Sequence, residues 1–196
     1  MRLFVGLDIA EPIREDIAAY LDDLRLRFPD TGARWTRPEG WHVTLKFIGE
    51  TQVVEEIRSL LGNVQAKPFS IHFRDVGFFT PKAPRIFYAA MLAPDDLTRL
   101  AAEVDAAVSK AGIERESASY SPHLTLARIG SGRPKPTAGD RRQPLLKELA
   151  ARIGEHPERS RHDFGTMTAK EFHLYESRLS SAGAHYTKLE SYSLKG

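Results

Sequence analysis

The sequence predicts an α+β protein built from antiparallel sheets in two similar halves, and three observations carry that prediction. Segments of strand composition come in adjacent runs instead of alternating singly with helices, which argues against a doubly wound parallel sheet. The order strand–helix–strands–helix–strands is read twice along the chain. Two segments, His42-Val43-Thr44-Leu45-Lys46-Phe47-Ile48-Gly49 and His123-Leu124-Thr125-Leu126-Ala127-Arg128-Ile129-Gly130, share His, Thr, Leu, Ile and Gly in register. One such pair marks two related units, not an array of repeats.

The elements follow in order. Leu3, Val5 and Leu7 alternate with Phe4, Gly6 and Asp8, which is strand spacing. Pro12 suits a helix start, and Ile13, Ile17, Leu21, Leu24 and Phe28 form a helical stripe. Residues 33–48 read as one or two strands bounded by Pro38 and Gly40. A helix over about 53–61 turns Ile57, Leu60 and Leu61 inward and stops at Gly62. Strand composition returns at 68–79 and 84–92, with a turn at Thr80-Pro81-Lys82-Ala83-Pro84 between them. Asp95 or Asp96 is placed to cap a helix whose stripe is Leu97, Leu100, Ala101, Val104 and Val108. Strands are expected at 113–120 and 122–129, a Gly- and Pro-rich loop from Gly130 to Arg142, a helix over 145–153, and closing strands at 164–177 and 185–194.

Composition bounds the function. The 196 residues suit one domain spanning 1–196. With no Cys, disulfides, thiolate metal sites and a cysteine nucleophile are excluded. Lys and Arg number 28 against 26 Asp and Glu, so any nucleic-acid contact must be a local patch. No apolar run reaches the roughly 20 residues of a membrane-spanning helix, and the N-terminal apolar run is too short for a signal peptide. A cytoplasmic protein is the expectation.

Strand alternation gives the repeated segments a chemistry. Trp41, Val43, Leu45 and Phe47 point one way and His42, Thr44 and Lys46 the other; Leu124 and Leu126 oppose His123 and Thr125. A half-buried antiparallel strand has this pattern, and a single His on its polar face is ordinarily just solvated. Two in matching frames point to a shared site where the two His/Thr faces meet across a groove. A third match, His185-Tyr186-Thr187, lacks the apolar frame and reads as chance. His72, His156, His162 and His173 lack it too and are given no role.

The paired tetrapeptides resemble the signature of the two-histidine (2H) phosphoesterases, in the bacterial branch similar to RNA 2′,3′-cyclic phosphodiesterases, once called 2′-5′ RNA ligases. Arg2-Leu3-Phe4-Val5-Gly6-Leu7, Trp41 to Glu50, Pro84-Arg85-Ile86-Phe87-Tyr88, Ser121-Pro122-His123 to Arg128, and Leu174-Tyr175-Glu176-Ser177-Arg178-Leu179 carry the resemblance. It implies two pseudo-symmetric lobes of antiparallel sheet with outer helices around a central cleft, no metal, and no cofactor. It implies hydrolysis of RNA or nucleotide 2′,3′-cyclic phosphates to 2′-phosphomonoesters, with 2′-5′ joining as a reverse activity, by a monomer with no obligate protein partner. His42 is then the proton donor to the leaving 3′ oxygen and His123 the acceptor that activates water. Thr44 and Thr125 donate to the phosphate. Arg128 matches a phosphate-contacting position, although strand parity turns it away from His123. Phe47, the equivalent position of the first motif, reads as core by alternation or as a base-stacking aromatic. Arg133, Lys135, Arg141 and Arg142 form either a basic RNA contact or a solvated loop.

Three rival functions stay open at this level. A metal-dependent phosphohydrolase would use His42, His123 and Asp8, but clustered metal-ligand spacing is missing. A non-catalytic module would bind RNA ends without turnover. A phosphodiesterase for another small cyclic nucleotide would use the same residues. An ATP-dependent ligase fits less well, because the sequence has neither a P-loop nor a nucleotidyl-lysine motif.

Overall fold

The computed structural model describes residues 1–28, 33–79, 85–128, 162–180 and 183–195. The expected turn at 80–84, the loop from Gly130 and the helix at 145–153 lie outside the described residues, as does His156. The chain runs β1 (Arg2–Asp8), α1 (Glu11–Arg27), β2 (Arg34–Trp35), a 3₁₀ turn (Pro38–Gly40), β3 (His42–Glu50), α2 (Val54–Leu61), β4 (Phe69–Phe79), β5 (Ile86–Leu92), α3 (Asp95–Ser109), β6 (Leu124–Arg128), β7 (Asp163–Ala169), β8 (Glu171–Ser180) and β9 (Gly183–Ser193).

The helices form where apolar periodicity requires. Ile13, Ile17, Leu21 and Leu24 of α1, Ile57 and Leu61 of α2, and Leu97, Leu100, Ala101, Val104 and Val108 of α3 are all buried in one core with the inward residues of the strands. Burial of each large side chain contributes about 1.5–3 kcal/mol, which is what fixes these helices on the sheet. Two expectations change. The cap of α3 is Pro94, and Asp95 and Asp96 sit inside the first turn, where their charge complements the helix dipole. Residues 113–120 form no strand. Their polar groups serve α3 and β3 instead: the Glu116 N–H and the Arg115 guanidinium both donate to Asp105.

The strands form one sheet in the order β7-β4-β5-β6-β3-β1-β8-β9, with β2 paired to β6, all antiparallel. The expected closing strand at 164–177 is two strands, β7 and β8, parted only at Lys170. Because β7 is at one edge and β8 is near the other, a single-residue link forces the sheet to curl until its ends approach. The two motif strands, β3 and β6, are neighbours in the middle. They meet at Val43↔Leu124. The two His/Thr faces therefore lie side by side where the halves of the sheet join.

Both motif strands carry a bulge at the same place. Against β1, Thr44 pairs with Gly6 and Lys46 with Val5, so Leu45 is the extra residue. Against β5, Thr125 pairs with Tyr88 and Ala127 with Phe87, so Leu126 is extra. An extra residue reverses the alternation of everything after it. Lys46, expected on the polar face, is turned inward and is only 6% exposed. It is held by Asp105 at 2.7 Å and by the Glu114 carbonyl at 2.8 Å. Phe47, expected among the core residues by alternation, is 58% exposed. It pairs with Phe4 and lies on the histidine side. The same shift brings Arg128 onto the face of Thr125, which removes the parity objection to it.

Candidate active site

Continuing the Val43↔Leu124 register by one residue each way sets His42 across from Thr125 and Thr44 across from His123. The two histidines are then diagonal neighbours, roughly 7–8 Å apart, with their Cβ atoms somewhat closer. That gap suits a tetrahedral group held between two imidazoles. Thr44 and Thr125 occupy the other corners of the same patch. Phe47 and Arg128, each five residues beyond its histidine, flank it. All six residues singled out from the sequence thus share one face of the sheet.

Each imidazole is oriented in the same way. The Nδ1–H of His42 donates to the Gly40 carbonyl at 2.7 Å, and that of His123 donates to the Ser121 carbonyl at 2.9 Å. A carbonyl only accepts, so in the neutral form the proton sits on Nδ1 and Nε2 keeps its lone pair. In both motifs the accepting carbonyl lies two residues before the histidine.

The surroundings differ. His42 packs on the Phe4 ring at 4.5 Å between centroids, meets the edge of Tyr186 at 5.0 Å and lies 6.2 Å from Tyr175. His123 meets Phe79 edge-on at 4.8 Å and Tyr88 at 6.0 Å. Glycines make room for these rings. A Cβ on Gly6 would stand 3.0 Å from the Val43 carbonyl and 3.5 Å from the His42 ring, and one on Gly77 would stand 2.9 Å from the Tyr88 hydroxyl. Burial pushes the His42 imidazole down to about 4; the Gly40 hydrogen bond and Asp8 oppose this, and Arg128 and His123 add to it. Arg128 therefore acts electrostatically on His42 across the join.

Asp8, the carboxylate a metal-dependent reading would recruit, is occupied by cations. Burial raises its pKa, but the Ile9 N–H, Lys188 at 3.2 Å and Arg14 at 2.8 Å together hold it below its ordinary value. Three other described histidines are engaged elsewhere. His72 pairs with Asp163, His162 with Asp16, and His173 with Ser191. In β9, Tyr186 reaches His42 while its neighbours His185 and Thr187 lie exposed.

Some site residues escape sequence reasoning. Phe4 had a signal: an aromatic on the polar-facing positions of the first strand. Tyr88 and Tyr175 had only their place in segments that carry the family resemblance, and Tyr186 had none beyond strand composition. Nor did Thr36 and Tyr120, whose hydroxyls reach across the join to the carbonyls of Thr125 and Thr44.

Known proteins resemble this chain in sequence and in overall fold. A family model described as LigT-like phosphoesterase matches residues 7–88 and 92–186. A relative from Archaeoglobus fulgidus, named RNA 2′,3′-cyclic phosphodiesterase, is 31% identical over 192 residues, covering 96% of this chain and 98% of its own. One of the same name from Aquifex aeolicus is 30% identical over 204 residues, covering 100% and 98%. Among solved structures, a Thermus thermophilus protein superposes with a TM-score of 0.75 at 26% identity, covering 100% of this chain and 99% of that one. Escherichia coli LigT complexed with 3′-AMP gives 0.73 at 24%, covering 100% and 98%, a likeness of fold.

Proposed function

The chain belongs to the LigT-like phosphoesterase family, and from that premise we propose that it hydrolyses 2′,3′-cyclic phosphodiester ends of RNA or nucleotides to 2′-phosphomonoesters, using His42 and His123 as acid and base and no metal ion. The observation that carries this reading is the matched pair of imidazoles on neighbouring strands, each with Nδ1 tied to a carbonyl and Nε2 left to react.

The steps follow from what each group can do. His123 Nε2 takes a proton from water as its oxygen attacks phosphorus. The P–O3′ bond breaks, and His42 gives its Nε2 proton to the departing 3′ oxygen. Thr44, Thr125 and the Arg128 fork donate to the nonbridging oxygens, whose charge grows in the transition state. Phe47, exposed beside them, stacks on a base.

The donor role of His42 needs the substrate. Burial above all, with Arg128 and His123 adding to it, lowers its pKa to about 4, so it is neutral at pH 7. A phosphodiester anion between the histidines favours the charged imidazolium and offsets Arg128. His42 thus gains its proton as substrate binds. A ribose 5′ hydroxyl in place of water would give a 2′-5′ linkage through the same transfers. In this reading the enzyme is a cytoplasmic monomer; among the described residues no helix is long and apolar enough to cross a membrane.

The test is incubation with RNA bearing a 2′,3′-cyclic phosphate end, and with other small cyclic nucleotides, in excess chelator. The expected product is a 2′-phosphomonoester at an undiminished rate. A 3′-phosphate product reverses the leaving-group assignment. Loss of activity in chelator, or no turnover, refutes the reading, and a preference for another cyclic nucleotide reassigns the substrate.

A further inference from the structure

Hydrogen bonds from two residues outside both motifs cross the join between β3 and β6. The Trp41 Nε1–H donates to Thr36 Oγ at 2.8 Å. The Thr36 hydroxyl accepts that bond and shares its one proton between the carbonyls of Thr125 and Leu126, 2.9 and 2.8 Å away. The Thr36 N–H also donates to Leu126, at 2.9 Å. In the other direction, the Tyr120 hydroxyl donates to the Thr44 carbonyl at 2.9 Å. It is partly buried, and burial raises its pKa well above the usual phenol value, so it stays a donor.

The receiving carbonyls belong to the two motif threonines and to the bulge residue Leu126. The donors sit on the segments that lead into the opposite histidines. Tyr120 adjoins Ser121, whose carbonyl fixes His123 Nδ1. Thr36 and Trp41 bracket Gly40, whose carbonyl fixes His42 Nδ1. Each histidine's orienting carbonyl is thereby anchored to the strand bearing the other histidine. Chained hydrogen bonds such as Trp41–Thr36–Thr125 strengthen one another.

We propose that Thr36 and Tyr120 are positioning residues that fix the tautomer and mutual placement of His42 and His123, so that the acid and the base are held as one unit across the join in the sheet. The inference rests on the two-histidine reading for its consequence in catalysis, but its structural half stands apart from it. Removing either hydroxyl takes a hydrogen bond from a motif threonine's carbonyl and loosens the segment holding an orienting carbonyl. A catalytic group displaced by about 1 Å loses up to about 100-fold in rate.

Tyr120→Phe and Thr36→Val keep side-chain volume and remove the hydroxyl; Thr36→Ser keeps the hydroxyl. With the cyclic phosphate substrate, the first two variants are expected to lose about 10- to 100-fold in kcat with little change in KM. Thr36→Ser is expected to stay near wild type. Nitrogen-15 NMR of the imidazoles is the second readout: Tyr120→Phe should reduce the Nδ1–H tautomer of His123, and Thr36→Val that of His42. Unchanged kcat and tautomers in Tyr120→Phe and Thr36→Val would overturn the proposal. So would a Thr36→Ser variant as damaged as Thr36→Val, because the hydroxyl would then not be the cause. If the wild-type protein has no turnover, the two-histidine function fails, while the tautomer measurement still decides whether the crossing bonds orient the rings.

Discussion

The two motif strands share a backbone and differ in surroundings. Both carry a bulge after the threonine, both aim a histidine with Nδ1 tied to the carbonyl two residues earlier, and both turn a large side chain onto the same face five residues beyond the histidine. Among the described residues, however, three aromatic rings close in around His42, and its orienting hydrogen bond is partly buried; around His123 there are two edge contacts and that bond is exposed. Five residues beyond, one motif supplies Phe47 and the other Arg128. Behind the bulge, one buries Lys46 and the other Ala127. The difference teaches how one backbone device can place two histidines in different surroundings. The repeat sets where the imidazoles stand, and the side chains around each set its charge and what else it touches.

The comparison can be broken most severely at the histidines. His42→Ala and His123→Ala are each expected to cut kcat by about 10²–10⁴-fold, as loss of a general acid or base does, measured in steady state with circular dichroism confirming the fold. A near-wild-type rate in either folded variant would remove that residue from the chemistry. The next effect separates the bulges. Asp105→Ala strands the buried Lys46 charge and should lower stability by about 3–5 kcal/mol in urea denaturation, where the second motif has only an alanine. Arg128→Ala should lower kcat by about 100-fold through loss of transition-state charge stabilisation, while Phe47→Ala should raise KM by about 10-fold and leave kcat nearly intact. Equal effects on KM from both would erase the distinction between them.

A further expected effect is on pH dependence. His42 falls from 6.5 in the unfolded chain to about 4 in the folded one. Between those values the unfolded state binds the proton and the folded state does not, so stability drops as pH falls from 6.5 toward 4. The loss between pH 7 and pH 4.5, read by urea denaturation, should be about 1–3 kcal/mol greater in wild type than in His42→Asn, which keeps the smaller contribution of buried His173, and should be reduced by added inorganic phosphate. A wild-type profile as flat as that of the variant would mean that the aromatic bed does not hold His42 neutral.

Much of this was legible in the sequence. The helical stripes on α1, α2 and α3 are where periodicity put them, because burying an apolar face leaves a helix little choice. The repeated His-x-Thr-Leu frames marked the two strands that join in the middle of the sheet. The bulges were not legible, since Leu45 and Leu126 look like any inward leucine and strict alternation carries on through them. Lys46 in a nominally outward slot and Arg128 in a nominally inward one were the only traces, and each has an innocent reading until pairing is known. Thr36 and Tyr120 were invisible for a different reason. Their partners are 89 and 76 residues away, and nothing local records such a contact.

The division of labour between the histidines is the central claim, and one measurement reaches it directly. A cyclic substrate with sulfur in place of the 3′ bridging oxygen expels a thiolate, which needs no proton to depart. With this substrate His42→Ala should recover most of its lost rate, and His123→Ala should stay impaired, because water must still be activated. Recovery by His123→Ala instead would exchange the two roles, and recovery by neither would contradict acid–base catalysis shared between these two strands.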